Sequence, residues 1–124
     1  MNTLMAVGTG GALGAILRYW VSNGVHSLVG RDFPYGTLAV NVIGSLAMGF
    51  LSIWLVDRMG ASLVWRIFIL AGVLGGFTTF SAFSMETFSL LAQGAYLRSL
   101  ANVMLSVIVC LVAAGAGVWV ARSV

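Results

Sequence analysis

The chain has 124 residues, of which 60% are hydrophobic and only 7% are charged, and its mean hydropathy is +1.07. About a quarter of the residues in a soluble domain are charged, so this composition excludes an ordinary water-soluble fold. The formal charge of +3 comes from arginines scattered singly at the ends of apolar segments, which argues against a nucleic-acid-binding protein. We therefore expect an all-α integral membrane protein with a single domain, residues 1–124.

Four apolar stretches are long enough to cross a bilayer, which takes about 20 residues. Their approximate limits are 3–25, 35–56, 64–92 and 97–121. The first connection, residues 26–34, contains the lone histidine, His26. Arg18 lies in the second half of the first span, where it either snorkels to the interface or draws anions toward a vestibule.

In the second span, polar and small residues recur every four positions and so share one helix face. These residues are Thr37, Asn41, Ser45 and Gly49. Asn41 is the strongly polar side chain deep in this span. Its amide either bonds to a neighbouring helix or lines a polar pathway.

The third stretch is longer than one straight span requires, and residues 72–84 combine paired glycines with hydroxyl and phenylalanine side chains. Glycines weaken a helix, and Ser and Thr hydroxyls satisfy the backbone groups that an interruption releases. We predict a break in the middle of this helix, of the kind that offers backbone carbonyls to cations and helix N-termini to anions. The alternative is a continuous helix whose glycines only permit close packing.

Polar residues near the end of the third span and along the fourth are further candidates. Glu86 is a functional candidate as an intramembrane carboxylate. Alternatively it lies near the boundary or is held by hydroxyls such as those of Ser84 or Thr87. In the fourth span Asn102, Ser106 and Cys110 repeat the four-residue spacing and suggest a polar track across part of the membrane.

The arginines are balanced across the membrane. Arg58, Arg66 and Arg122 fall on one side, and Arg31, Arg98 and Arg18 on the other. Orientation normally follows an excess of basic residues on the cytoplasmic side. We therefore predict insertion in both orientations and an antiparallel dimer; the alternative is a fixed topology set by another signal. Small residues at helical spacing indicate close helix contacts and favour homodimerisation: Gly10 and Gly14, Ser45 and Gly49, Ala113 and Gly117.

Three motifs together resemble the Fluc (CrcB) family of bacterial fluoride channels. They are GGALGAILRY at 10–19, GTLAVNVIGS at 36–45 and GGFTTFSAFS at 75–84. The resemblance implies a dual-topology homodimer in the bacterial inner membrane, with two antiparallel pathways for passive fluoride export. It also implies a structural sodium ion at the dimer interface, held by backbone carbonyls at positions that match Gly75 and Thr78.

The same resemblance assigns the fluoride path. The paired phenylalanines of the family match Phe80 and Phe83, and its pore asparagine matches Asn41. The polar track on its fourth helix matches Asn102, Ser106 and Cys110. Of these three, Asn102 and Cys110 depart from the tyrosine or other hydroxyl residues that many relatives carry. Fluoride is strongly hydrated, so hydrogen-bond donors must replace its water. The side chains of Asn41, Ser81 and Ser106 are such donors, and Thr37 shares the helix face of Asn41. The edges of the Phe80 and Phe83 rings are positive and so could also face an anion.

Two other functions remain open from the residues alone. A small dimeric multidrug or cation exporter has similar size, but it depends on a carboxylate in the first span, and residues 3–25 contain none. A non-transporting membrane assembly subunit would use the polar faces as contacts between helices. No nucleophile has an acid–base partner in sequence, so we do not expect an enzyme.

Overall fold

The computed structural model describes residues 2–124, and within this range four helices are long and apolar enough to cross a membrane. They are Thr3–Val29, Tyr35–Asp57, Leu63–Ala92 and Tyr96–Ser123. Most of their large apolar side chains point outward and are exposed, as expected where lipid is the solvent. The prediction of an all-α protein with four membrane-spanning segments is confirmed.

The first helix, α1 (Thr3–Val29), is longer than predicted at its C-terminal end. The side chain of Asn2 caps its start by accepting a hydrogen bond from Met5 N at 2.8 Å. The helix ends at Gly30, which has a φ of 92° and donates its N–H to the carbonyl of His26. Left-handed backbone of this kind favours glycine. The prediction that His26 lies in a connection is wrong, because the helix continues through Asn23 and Gly24 and ends only at Gly30.

The second helix, α2 (Tyr35–Asp57), packs along the last helix, α6 (Tyr96–Ser123). Gly49 lies against the backbone of Ala114, and Gly117 lies against the backbone of Leu46, so a Cβ at either glycine would clash. At the ends of the two helices Arg58 Nη2 donates to the carbonyl of Arg122 at 3.3 Å. The small residues predicted to allow close helix contacts do so here, but within one subunit.

The first half of the third span packs on α1. It consists of α3 (Leu63–Arg66), a π-helical segment (Ile67–Leu74) and α4 (Gly75–Phe77). Gly10 meets Gly72, and Gly14 faces the carbonyl of Val73, with no space for a Cβ at either glycine of α1. These contacts also lie inside the subunit, so they do not by themselves support a dimer.

Two residues with extended backbone, Thr78 and Thr79, separate α4 from α5 (Phe80–Ala92). Thr78 has a ψ of 157°, and Thr79 has φ −150° and ψ 119°. The Thr79 hydroxyl caps α5 by accepting a hydrogen bond from Ala82 N at 3.2 Å. Before these residues the span packs against α1, and after them it packs against α6. The third span therefore changes neighbours at its centre.

Candidate functional site

An open groove of about 470 Å³ lies between α2, the centre of the third span and α6. Its polar lining consists of Asn41, Ser45, Thr78, Thr79, Ser106 and Cys110, and its apolar lining includes Phe80, Phe83, Met48, Val107 and Leu111. Five residues of the predicted fluoride path thus meet in one groove, although they come from three spans. Thr78, matched to the sodium site, lies in the same wall.

Asn41 holds the extended backbone between α4 and α5. Its Nδ2 donates to the carbonyl of Thr79 at 3.0 Å, and its Oδ1 accepts from Thr79 N at 2.8 Å. Extended backbone inside a membrane leaves polar groups that cost several kcal/mol each when unpaired. Both groups of Thr79 are satisfied by one amide. Since an asparagine amide has two N–H groups, one donor of Asn41 remains for the groove that it lines.

The two phenylalanines form an aromatic wall of the groove. Their ring centroids are 5.4 Å apart and the rings are inclined by 49°. Phe80 is 78% exposed in the single chain, whereas Phe83 is half-buried. Because ring edges carry partial positive charge, tilted rings beside the Asn41 amide are compatible with an anion in the groove.

The polar track of α6 is divided by the fold. Ser106 and Cys110 line the groove, but Asn102 is only 2% exposed and is not among the lining residues. Asn102 Nδ2 donates to Thr87 Oγ1 at 2.8 Å, and Ser106 Oγ donates to Asn102 Oδ1 at 3.4 Å. The structure therefore places Asn102 behind the wall that Ser106 forms.

Two adjoining cavities, together called the vestibule, lie between α1, α2 and α5. Their volumes are about 450 and 320 Å³, and both are lined by Ser22, Asn23, Thr37 and Ala82. Arg18 and Thr79 line the smaller cavity. The larger one also contains Glu86 and His26, together with Arg31 and Asp32. Thr79 lines both the vestibule and the groove, so the Asn41–Thr79 pair lies between them.

Glu86 has a different partner from those considered in the sequence. Its Oε1 accepts a hydrogen bond from Thr37 Oγ1 of α2, and Thr37 is buried. The hydroxyls of Ser84 and Thr87 instead donate to the carbonyls of Phe80 and Phe83, at 3.0 and 2.7 Å. The suggestion that these two hydroxyls hold Glu86 is therefore wrong.

Two predicted site residues are exposed and line neither the groove nor the vestibule. Ser81 is exposed, with its hydroxyl 3.3 Å from that of Thr79, and Gly75 is exposed on α4. Sequence reasoning named Arg18 as a vestibule candidate but missed the other vestibule residues of α1. A signal existed, because Ser22 and His26 follow Arg18 at intervals of four residues and so extend one polar face.

These features define a small multi-pass membrane protein with a polar and aromatic groove that adjoins a charged vestibule. A family model described as CrcB-like protein, Camphor Resistance (CrcB), matches residues 5–118. The chain therefore belongs to the CrcB-like family.

Relatives of the chain carry the name "Fluoride-specific ion channel FluC". The protein of Hydrogenovibrio crunogenus is 47% identical over 96% of this chain and 90% of its own length. That of Coxiella burnetii is 46% identical over 98% of both chains. The Methylococcus capsulatus protein is 48% identical over 97% of this chain, which spans about half (53%) of that relative.

Proposed function

We propose that this chain is a fluoride-selective channel that lets fluoride leave the cytoplasm by passive permeation through the bacterial inner membrane. The observation that carries the proposal is the meeting of Asn41, Phe80, Phe83 and Ser106 in one groove. The names of two relatives, which are 46–47% identical over at least 90% of their own lengths, support it. The channel moves the ion without chemical change, so it is not an enzyme.

The proposed path leads from the vestibule to the groove past the Asn41–Thr79 pair. Arg18 attracts the anion by its charge at the vestibule. Beyond Thr79, the free N–H of Asn41 and the hydroxyl of Ser106 replace part of the water that fluoride loses. The positive edges of Phe80 and Phe83 face an anion that has few polar neighbours there.

A second copy of the chain in inverted orientation completes the channel. In one subunit the groove is open along one side and Phe80 is largely exposed, so each path needs another surface to close it. The balanced arginines favour an antiparallel arrangement, since neither orientation satisfies the positive-inside rule better than the other. An antiparallel pair has two paths that run in opposite directions.

A structural sodium ion at the dimer interface is compatible with the backbone at the centre of the third span. In an α-helix the Gly75 carbonyl would accept Thr79 N and the Thr78 carbonyl would accept Ala82 N. Here Thr79 N donates to Asn41 and Ala82 N donates to the Thr79 hydroxyl. Both carbonyls thus lose their helical donors, and backbone oxygens are suitable ligands for a hard cation. Gly75 and Thr78 would hold it.

Ion flux from liposomes tests the function. Purified protein in vesicles loaded with potassium fluoride and potassium chloride should release fluoride once a potassium ionophore removes the opposing voltage, while chloride stays inside. Fluoride- and chloride-selective electrodes measure both ions, and protein-free vesicles are the control. A cation exporter or an assembly subunit predicts no fluoride release. Equal release of the two anions would exclude a fluoride-selective channel.

Reporter fusions at the C-terminus test the dual topology. We expect a periplasmic reporter, alkaline phosphatase, and a cytoplasmic reporter, green fluorescent protein, both to be active after Val124. Lysines added beside Arg58 provide the control, because they should shift the population toward one orientation and make one reporter dominant. If the unmodified chain gives signal from one side only, the antiparallel arrangement is wrong.

A further inference from the structure

A short series of hydrogen bonds connects the wall of the groove to the backbone of α5. Thr87 Oγ1 donates to the Phe83 carbonyl at 2.7 Å, and Asn102 Nδ2 donates to Thr87 Oγ1 at 2.8 Å. Ser106 Oγ then donates to Asn102 Oδ1 at 3.4 Å. The direction of each bond follows from the first one, because the carbonyl only accepts and the Thr87 hydroxyl has a single hydrogen. Asn102 must therefore turn its nitrogen to Thr87 and its oxygen to Ser106.

The position of Asn102 is unsuited to direct contact with an ion in the groove. Its side chain is 2% exposed, and the groove is lined by Ser106 at this level of α6. Instead, Asn102 Oδ1 accepts the hydroxyl hydrogen of Ser106, which is the hydrogen that Ser106 would donate to an anion in the groove. At 3.4 Å this bond is long, so the hydrogen is held weakly. By contrast, the hydroxyls of Ser84 and Thr87 donate to helix carbonyls at 3.0 and 2.7 Å.

We propose that Asn102 is a positioning residue that competes with the transported ion for the single hydrogen of Ser106. Thr87 fixes the amide orientation on which this competition depends. An anion beside Ser106 gains the hydroxyl only when the hydrogen leaves Asn102 Oδ1. The competition therefore lowers the apparent affinity of the path for fluoride, because part of the free energy gained from the hydroxyl is used to break its bond to Asn102. The inference rests on the proposed channel function and assigns one determinant of its apparent fluoride affinity.

Channel conductance in planar bilayers, measured as a function of fluoride concentration, tests the role of Asn102. Asn102→Leu removes the competing oxygen and should lower the half-saturating fluoride concentration about threefold, within the range expected for one hydrogen bond. In a Ser106→Ala background the same substitution should cause no shift. A direct ligand role predicts a higher half-saturating concentration. If Asn102 only packs the helices, the variant should give fewer active channels with an unchanged half-saturating concentration. Either result would overturn the proposal.

Ser99→Ala is the matched control, because buried Ser99 also joins α6 to α5 by donating to the Thr87 carbonyl at 3.3 Å. It has no bond to Ser106 and should leave the half-saturating concentration unchanged. A shift equal to that of Asn102→Leu would show that helix packing causes the effect and would overturn the proposal.

Thr87→Val tests the same competition if Asn102→Leu fails to fold. Without the Thr87 hydroxyl the Asn102 amide is free to turn its nitrogen toward Ser106, which then accepts and releases its hydrogen. The half-saturating concentration should fall here too, and an unchanged value would refute the inference. If the unmodified protein carries no fluoride current, the channel function itself fails and this inference falls with it. A conducting protein without the shift refutes only the role of Asn102.

Discussion

Fluoride flux should fall by about tenfold or more when Phe80 or Phe83 is replaced by isoleucine. Loss of about 1.4 kcal/mol of stabilisation along the path is sufficient for a tenfold change. Isoleucine remains large and apolar, but it has no aromatic ring and therefore no positive ring edge. The initial rate of fluoride release from liposomes measures the effect, with size-exclusion chromatography to establish that each variant keeps the oligomeric state of the unmodified protein.

Phe88→Ile is the matched control for these two substitutions. Phe88 lies on the same helix, α5, and is 64% exposed, but it is absent from the lining of the groove. Its ring is therefore on the surface of the chain and away from the groove, and flux should remain within about twofold of the unmodified protein, as expected for a surface substitution away from the site. Unchanged flux in both the Phe80 and Phe83 variants would show that these rings only pack the bundle.

The four spans and much of the groove could be predicted because both depend on local patterns. Hydropathy fixes the approximate spans, and the four-residue spacing places Asn41 and Ser45 on one face of α2. Close helix contacts at Gly10 and Gly14 also follow from spacing. The sequence does not show which helix a small-residue face meets. These two glycines pack within the subunit, where the pattern alone had favoured a dimer.

The pairing of distant polar groups could not be predicted. Glu86 bonds to Thr37, which is 49 positions away in the chain, so the pair depends on how α2 and α5 are placed. The division of the α6 track has the same origin. Asn102 and Ser106 are one turn apart, yet α5 covers Asn102 through Thr87 and leaves Ser106 at the groove. Spacing establishes that they share a face, whereas packing decides which of them an ion can reach.

Asn41→Leu should be among the most destabilising single substitutions in the chain and should abolish channel activity. It leaves the N–H and carbonyl of Thr79 without their partner, and each unsatisfied buried group costs about 1–3 kcal/mol. Thermal unfolding of the detergent-solubilised protein measures the loss of stability. Faster hydrogen exchange at the Thr79 amide would show that the loss of stability arises at the break in the third span.

Ser45→Ala is the control for stability, because Ser45 lies one turn further along α2 and also lines the groove. Within residues 2–124, however, its side chain makes no hydrogen bond to the backbone of the third span. Equal stability of the Asn41→Leu and Ser45→Ala variants would contradict the role assigned to Asn41.

The amide of Asn41 has a second consequence. Because it takes the N–H of Thr79, it prevents that N–H from returning to the Gly75 carbonyl and rebuilding a continuous helix. Asn41 therefore connects the two proposed ion sites: one of its N–H groups remains for the fluoride path, while its oxygen keeps a backbone carbonyl free for the cation.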